Sequence, residues 1–200
     1  MLYRFAFVLA ALAVAVQAPA QTPPPPEMVT VAIETSKGRI VLALEKGRAP
    51  ATTANFLAYV DQKKFDGESF YRAMPYGEGG LIQGGITSNA AKLLPPVKHE
   101  PTSVTGVRHV AGTIAMARVE PGSARSDFFI LTTDIPGFDA GSSQPGDDDG
   151  FAAFGHVTEG MEVVKAIFAA PVSATKGVGA MHGQMLEPAV RIVKAARVAP

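Results

Sequence analysis

The segment from Glu68 to Ile86 reads ESFYRAMPYGEGGLIQGGI and contains the features that decide the fold. It places Arg72 among large apolar residues, continues through a glycine-rich turn, and ends in a second apolar run before a glycine pair. This order predicts a strand, a loop and a second strand, and alternation puts Phe70, Arg72 and Met74 on one face of the first strand. Because an unpaired buried charge is costly, an arginine on that face indicates one of two things. Either its stem covers apolar surface at a sheet edge, or the charge has a function.

Composition limits the class of protein. The chain has 200 residues, of which 47% are hydrophobic, a formal net charge of zero and no cysteine. This length suits one domain with a single core, and 16 prolines with 20 glycines indicate the many turns of a β-rich fold. The balanced charge argues against nucleic acid or an anionic membrane as a partner. Without cysteine the chain has no disulfide, thiolate metal site or cysteine nucleophile.

The amino terminus has the pattern of a signal peptide. A positive charge at Arg4 precedes an apolar run that is too short to span a bilayer comfortably, and a small-x-small pattern ends at Ala20. We expect cleavage after Ala20, which makes residues 1–20 a signal peptide; an uncleaved membrane anchor is the alternative. The expected product is an exported protein, periplasmic or secreted, with no stable membrane association. Residues 21–27 are rich in proline and predict a stiff linker, and residues 28–200 form the expected globular domain.

The pattern F-x-R-x-x-P, a glycine loop and Q-G-G resembles the signature of the cyclophilin-type peptidyl-prolyl cis-trans isomerases. Similar matches follow in GTIAMA from Gly112, in SARSDFFI from Ser123 and in FAAFGHV from Phe151. The resemblance implies a mainly β fold, a closed eight-stranded antiparallel β-barrel capped by two α-helices. Pro50 favours the start of the first helix, and Thr158 is the predicted amino-terminal cap of the second.

The resemblance also implies a reaction, the rotation of X-Pro peptide bonds. Resonance gives this rotation a barrier of roughly 20 kcal/mol. In the twisted transition state the prolyl nitrogen recovers a lone pair, and a fixed guanidinium that donates to it stabilises this state more than the planar ground state. Arg72 matches the catalytic arginine, and Gln83 matches the glutamine that orients the arginine and binds the substrate carbonyl. The substrate-binding positions are Phe70, Leu81, Ala117, Arg118, Asp127, Phe129, Phe138 and Phe151.

No cofactor, metal ion or covalent intermediate is required by this chemistry. The expected partners are proline-containing segments of exported proteins, bound by a monomer that assists their folding. The alternative function is a non-catalytic module of the same fold, which binds proline-containing peptides as a chaperone.

Several positions depart from the family pattern. Gly80 occupies the position of the usual pocket phenylalanine, in a longer loop, and Tyr76 is the candidate to replace it. Asp127 stands for a usual glutamine and Arg118 for a common asparagine, which allows the two to pair. The chain has no tryptophan, and Phe151 replaces the histidine often found at the pocket rim. We expect catalysis with an altered substrate preference, while the altered pocket is the feature that favours the binding module.

Overall fold

The structure is a computed structural model that describes residues 26–143 and 147–199. The predicted signal peptide and most of the predicted linker lie outside the described residues, so both stay predictions. None of the helices in the described ranges is long and apolar enough to cross a membrane.

Eight antiparallel strands close into one barrel, which confirms the predicted fold class. Around the ring the strands follow the order β1-β2-β7-β5-β6-β4-β3-β8, and β8 pairs with β1 to complete the circle. The strands are β1 (Val29–Thr35), β2 (Gly38–Leu44), β3 (Ser69–Tyr76), β4 (Gly79–Gly85), β5 (Thr113–Met116), β6 (Phe128–Leu131), β7 (Ala152–Glu159) and β8 (Met185–Arg197).

The described residues form three α-helices: α1 (Pro50–Asp61), α2 (Thr102–Thr105) and α3 (Met161–Phe168). Helix α1 begins at a proline, which lacks the N–H that would have no partner there. The carboxylate of Glu100 accepts hydrogen bonds from the next two backbone N–H groups, those of Ala51 (3.1 Å) and Thr52 (2.7 Å). Apolar residues of α1 and α3 pack on the main core, whereas α2 is a short helix in the segment between β4 and β5.

The predicted cap of α3 is wrong. Thr158 still belongs to β7, and its hydroxyl donates to the backbone carbonyl of Val41 in β2 (3.3 Å). The helix is preceded instead by Gly160, which has a left-handed conformation (φ +87°). A Cβ at this position would lie 2.2 Å from the carbonyl oxygen of Arg39, so only glycine allows the turn from strand to helix. Pairing with β2 therefore extends the strand past Thr158.

Apolar side chains form two clusters on opposite sides of one barrel wall. The main core fills the barrel with alternate residues of the strands, and its aromatic rings lie with centroids 5.1 to 5.6 Å apart. These rings belong to Phe56, Phe65, Phe70, Phe128 and Phe154. A second, smaller cluster includes Leu81, Ala115, Phe129 and Ala153 and lies on the outer face of the wall formed by β4, β6, β5 and β7. Phe129, the residue after Phe128, thus points away from the core.

Candidate active site

A β-bulge in β3 positions the arginine that the sequence singled out. The register of β3 shifts between Phe70 and Arg72 against both β4 and β8. The extra residue turns Tyr71 and Arg72 to the same side of the barrel, while Phe70 and Ala73 both enter the core. The prediction that Phe70 shares a face with Arg72 and binds substrate is therefore wrong. Its side chain is completely buried and packs edge-on against Phe128.

A groove of about 840 Å³ lies beside Arg72. It brings together every predicted site residue except Phe70: Arg72, Gln83, Leu81, Ala117, Arg118, Asp127, Phe129, Phe138 and Phe151. Several other residues that line the groove were not predicted from the sequence, including Tyr71, Met74, Arg125, Met181 and Met185. Alternation assigned Tyr71 to the opposite face and gave Met74 the face of Arg72 without a role, whereas Met181 and Met185 come from segments for which no motif was recognised.

Two side-chain amides hold the guanidinium of Arg72. Its Nε donates to Oε1 of Gln184 and its Nη1 donates to Oε1 of Gln83, both at 2.9 Å. Gln83 lies directly opposite Arg72 in the β3–β4 pairing, whereas Gln184 lies 112 positions along the chain, just before β8. Burial lowers the pKa of Arg72 from its usual value. Among the described residues Nη2 has no hydrogen-bond partner, so its two N–H groups and the second N–H of Nη1 are the donors left for a ligand in the groove.

The hydrogen bonds continue from Gln83 to a carboxylate. Nε2 of Gln83 donates to the hydroxyl of Tyr71 (2.7 Å), which donates in turn to Oδ2 of Asp127 (3.2 Å). Burial raises the pKa of Tyr71, and the negative charge of Asp127 adds to the rise, so the phenol remains protonated. Burial also raises the pKa of Asp127, while the hydrogen bonds from Tyr71 and Ser126 act in the opposite direction.

Three phenylalanines form an apolar pocket next to the arginine. The ring of Phe129 lies 5.6 Å from that of Phe138 and 5.4 Å from that of Phe151, with both neighbours nearly perpendicular to it. Behind the pocket the buried ring of His109 stacks on Phe129, and its Nδ1 lies 2.9 Å from Oδ1 of Asp139. Burial lowers the pKa of His109, against the opposing effect of Asp139, so the ring behind the pocket is neutral at physiological pH.

The predicted replacement for the phenylalanine that is missing at Gly80 is wrong, because another residue fills that part of the pocket. Gly80 has φ +154°, and a Cβ there would lie 1.9 Å from the carbonyl oxygen of Met74 and 2.8 Å from the ring of Phe168. This position therefore has no room for a larger residue. Tyr76 does not replace the missing phenylalanine, because it lies at the end of the hairpin with 44% of its surface exposed. Met74, which pairs with Leu81 in the next strand, packs against the outer cluster instead.

The allowed pair between Arg118 and Asp127 does not form. Arg118 makes an ion pair with Asp147 (2.9 Å), its Nε donates to the carbonyl oxygen of Gly150 (3.0 Å), and its guanidinium lies 5.2 Å from the centre of the Phe151 ring. Only 2% of its side chain is exposed. Arg118, which follows β5, thus connects the pocket wall to the loop that precedes β7. Asp127 finds its partner in Tyr71, which the bulge places beside it.

Comparison with known proteins places this chain in a family. The protein-family model described as cyclophilin type peptidyl-prolyl cis-trans isomerase/CLD matches residues 30–196 of this chain. The peptidyl-prolyl cis-trans isomerase A of Dickeya dadantii is 41% identical over 141 residues, which cover 68% of this chain and 70% of the relative. The peptidyl-prolyl cis-trans isomerase of Acinetobacter baylyi is 34% identical over 197 residues, 96% of this chain and 94% of the relative.

Solved structures agree on the fold. A cyclophilin type peptidyl-prolyl cis-trans isomerase of Cryptosporidium parvum, crystallised in the presence of the dipeptide Ala-Pro, superposes with a TM-score of 0.68. The sequences are 18% identical, and the match covers 86% of this chain and 99% of the other. At this identity the likeness is one of fold.

Proposed function

Because this chain belongs to the cyclophilin-type peptidyl-prolyl cis-trans isomerases, we propose that its isomerase activity resides in the groove at Arg72 and serves proline-containing segments of exported proteins. The observation that carries the proposal is the position of a guanidinium, fixed by two amides, beside a pocket of three phenylalanines. A proline ring is apolar, and its amide nitrogen gains basicity only when the bond is twisted. A pocket and a donor are the two groups that this chemistry requires.

In the proposed mechanism the proline ring enters the apolar pocket against Phe129, Phe138 and Phe151. The free N–H groups of Arg72 then donate to the prolyl nitrogen as the peptide bond twists. Arginine suits this role because it stays charged across the physiological range and its donors have a rigid planar arrangement. A donor of this kind, aimed at an atom that becomes basic only in the transition state, is worth about 3 kcal/mol, or roughly a hundredfold in rate.

Gln83 has two roles in this proposal. Its carbonyl oxygen holds the guanidinium, and its side chain borders the groove where the substrate backbone passes. Ala117 and Arg118 form the neighbouring wall, along which an extended peptide is able to lie. The crystal structure obtained in the presence of Ala-Pro supports the assignment of proline-containing peptides as substrates, because it belongs to a protein of the same fold.

The test is a comparison of Arg72→Ala with Arg72→Lys and with the matched control Arg39→Ala. Arg39 is an exposed arginine of β2 that, within the described part of the chain, makes an ion pair with the exposed Glu34 alone. Exchange spectroscopy by NMR on X-Pro peptides should show a loss of about a hundredfold for Arg72→Ala. Arg72→Lys should recover only part of the rate, because an ammonium cannot make the two in-plane hydrogen bonds. Wild-type rates in a folded Arg72→Ala variant would refute this assignment of the reaction.

Export is proposed from residues 1–20 alone. The mass of the protein recovered after expression of the full chain in a Gram-negative host should correspond to a mature chain that begins at Gln21. Recovery of the complete chain in the membrane fraction would favour the uncleaved anchor. Light scattering on the purified protein tests the expected monomer.

A further inference from the structure

We propose that Tyr71 and Asp127 are positioning residues of this enzyme, because Asp127 ends a one-directional hydrogen-bond chain through Tyr71 and Gln83 that holds Arg72 in its catalytic orientation. This inference rests on the proposed role of Arg72. It changes the role of Asp127 from a charge that faces the substrate to the anchor of the arginine. We call the set Arg72, Gln83, Tyr71 and Asp127 the hydrogen-bond chain.

Only one arrangement of donors satisfies every link. A guanidinium can only donate, so Gln83 must turn its carbonyl oxygen toward Nη1 of Arg72. The amide nitrogen of Gln83 then points the other way and donates to the oxygen of Tyr71 at 2.7 Å. The single hydrogen of the phenol must therefore go to the carboxylate of Asp127, which can only accept while it is ionised. The direction of each hydrogen bond follows from the charges at the two ends.

The hydrogen-bond chain determines how Gln83 contacts Arg72, because the amide of Gln83 has two nearly isosteric orientations. In the reversed orientation its NH₂ group would face the guanidinium, donor against donor, and Nη1 would lose its partner. Tyr71 prevents this reversal only if its oxygen is held as an acceptor, which requires that its hydrogen be used elsewhere. The carboxylate of Asp127 takes that hydrogen. An asparagine or a protonated aspartate at 127 is able to donate as well as to accept, so it would no longer fix the direction of the hydrogen bond with Tyr71.

The carboxylate is itself held in place. Gly85, the last residue of β4, packs against it so closely that a Cβ at this position would lie 2.1 Å from Oδ1 and 2.8 Å from Cα of Asp127. The hydroxyl of Ser126 donates to Oδ1 at 3.3 Å. On the other side, the bulge of β3 brings Tyr71 within reach of both Gln83 and Asp127. A regular strand that kept Arg72 in the groove would have turned Tyr71 toward the core.

Protonation of Asp127 should interrupt the hydrogen-bond chain in the same way as the replacement of Asp127. Its titratable and charged neighbours are Tyr71 from β3, Tyr59 from α1 and Arg125 from its own segment. Burial is the largest effect on its pKa and raises it. Activity should therefore decline on acidification at a pH above the ordinary titration range of an aspartate, while Arg72 remains charged throughout.

The experiment compares Tyr71→Phe, Asp127→Asn and the double variant, with Tyr76→Phe as the matched control on the exposed end of the same strand. NMR exchange measurements at several peptide concentrations separate kcat from KM. We expect each single variant to lose about tenfold in kcat, the effect of one hydrogen bond to a charged group, with KM nearly unchanged. The double variant should lose no more than the worse single variant, because both interrupt one chain. Tyr76→Phe should match the wild type.

Two readouts separate positioning from general damage. The decline of kcat at acidic pH should be present in the wild type and absent in Asp127→Asn and Tyr71→Phe. The ¹⁵N–¹H signal of Arg72 Nη should broaden in both variants, and circular dichroism should remain that of the wild type.

Three other outcomes are possible, and each of them contradicts a different part of the proposal. If both variants keep the wild-type kcat and pH profile while Arg72→Ala is inactive, the catalytic assignment stands and the hydrogen-bond chain is refuted. If Asp127→Asn changes KM for Lys-Pro or Arg-Pro peptides while Tyr71→Phe is silent, Asp127 faces the substrate. If Arg72→Ala retains activity, the proposed function fails first.

Discussion

The substitution Gly80→Ala tests the closest backbone approach in the site. Gly80 lies in the β3–β4 hairpin with φ +154°, where an added Cβ would be 1.9 Å from the carbonyl oxygen of Met74. Its own carbonyl oxygen accepts a hydrogen bond from the backbone N–H of Thr132 (2.8 Å), which ties the hairpin to the end of β6. The strand is therefore unable to move away from Met74 without weakening that contact.

The loss in the free energy of unfolding expected for Gly80→Ala has two contributions. A residue other than glycine in this region of backbone conformation costs about 1–3 kcal/mol. Relief of the contact with Met74 requires a backbone shift of the kind caused by overpacking, which costs about 1–3 kcal/mol more. The expected loss in the free energy of unfolding is thus about 2–6 kcal/mol, which lowers Tm by roughly 5–20 °C for a domain of this size.

Gly77, in the turn of the same hairpin, provides the control. It has φ +56°, but a Cβ there would meet nothing within 4 Å, so Gly77→Ala should cost only about 1 kcal/mol for its conformation. Urea denaturation of both variants measures the difference. Equal losses would refute the reasoning, because they would leave no energy for the contact with Met74. By the same argument Gly80→Phe, which restores the usual family residue, should destabilise the protein rather than rebuild its pocket.

Two further predictions concern residues outside the groove. Glu100→Gln removes the negative charge that accepts the first N–H groups of α1, and should lower the free energy of unfolding by about 1 kcal/mol in urea titrations without changing the isomerase rate; unchanged stability would mean that water serves those groups equally well. Burial lowers the pKa of His109, so below the ordinary value of 6.5 the unfolded chain binds a proton that the folded protein does not. Stability should therefore fall as pH drops from 6.5 toward the folded pKa. In thermal denaturation His109→Gln should lose this part of the pH dependence, and identical pH slopes for both proteins would contradict it.

The sequence was informative about the fold and the groove because the residues concerned lie in compact motifs. The pattern around Arg72 and the segment SARSDFFI indicated two relevant strands, and the adjacent phenylalanines of that segment lie on opposite faces of β6, as in any regular strand. Three of the groove positions, Leu81, Gln83 and Phe129, come from adjacent strands of one wall. Local patterns of this kind reflect interactions between neighbours in sequence or in an ordinary strand pair.

The errors arose where a distant contact decides the outcome. Alternation assigned Phe70 to the groove because a bulge adds a residue without leaving a mark in the hydrophobic pattern. Arg118 and Asp127 each have a nearer partner, contributed by the loop before β7 in one case and by the bulge in the other. Gln184 had no sequence signal at all, since a glutamine 112 residues from Arg72 becomes its neighbour only when β8 closes the barrel.

Closure of the barrel has a consequence for how the enzyme meets its clients. Prolyl bonds isomerise freely only in chains that are not yet folded, and such chains display unpaired backbone donors and acceptors. A sheet with open margins would offer those chains a template on which to add strands and aggregate. In this protein β8 pairs with β1 and no strand of the ring is left at an edge, so the ring itself gives a client nothing to extend. On the proposed function the groove is the place where a client binds, and the client can depart from it once its bond has turned.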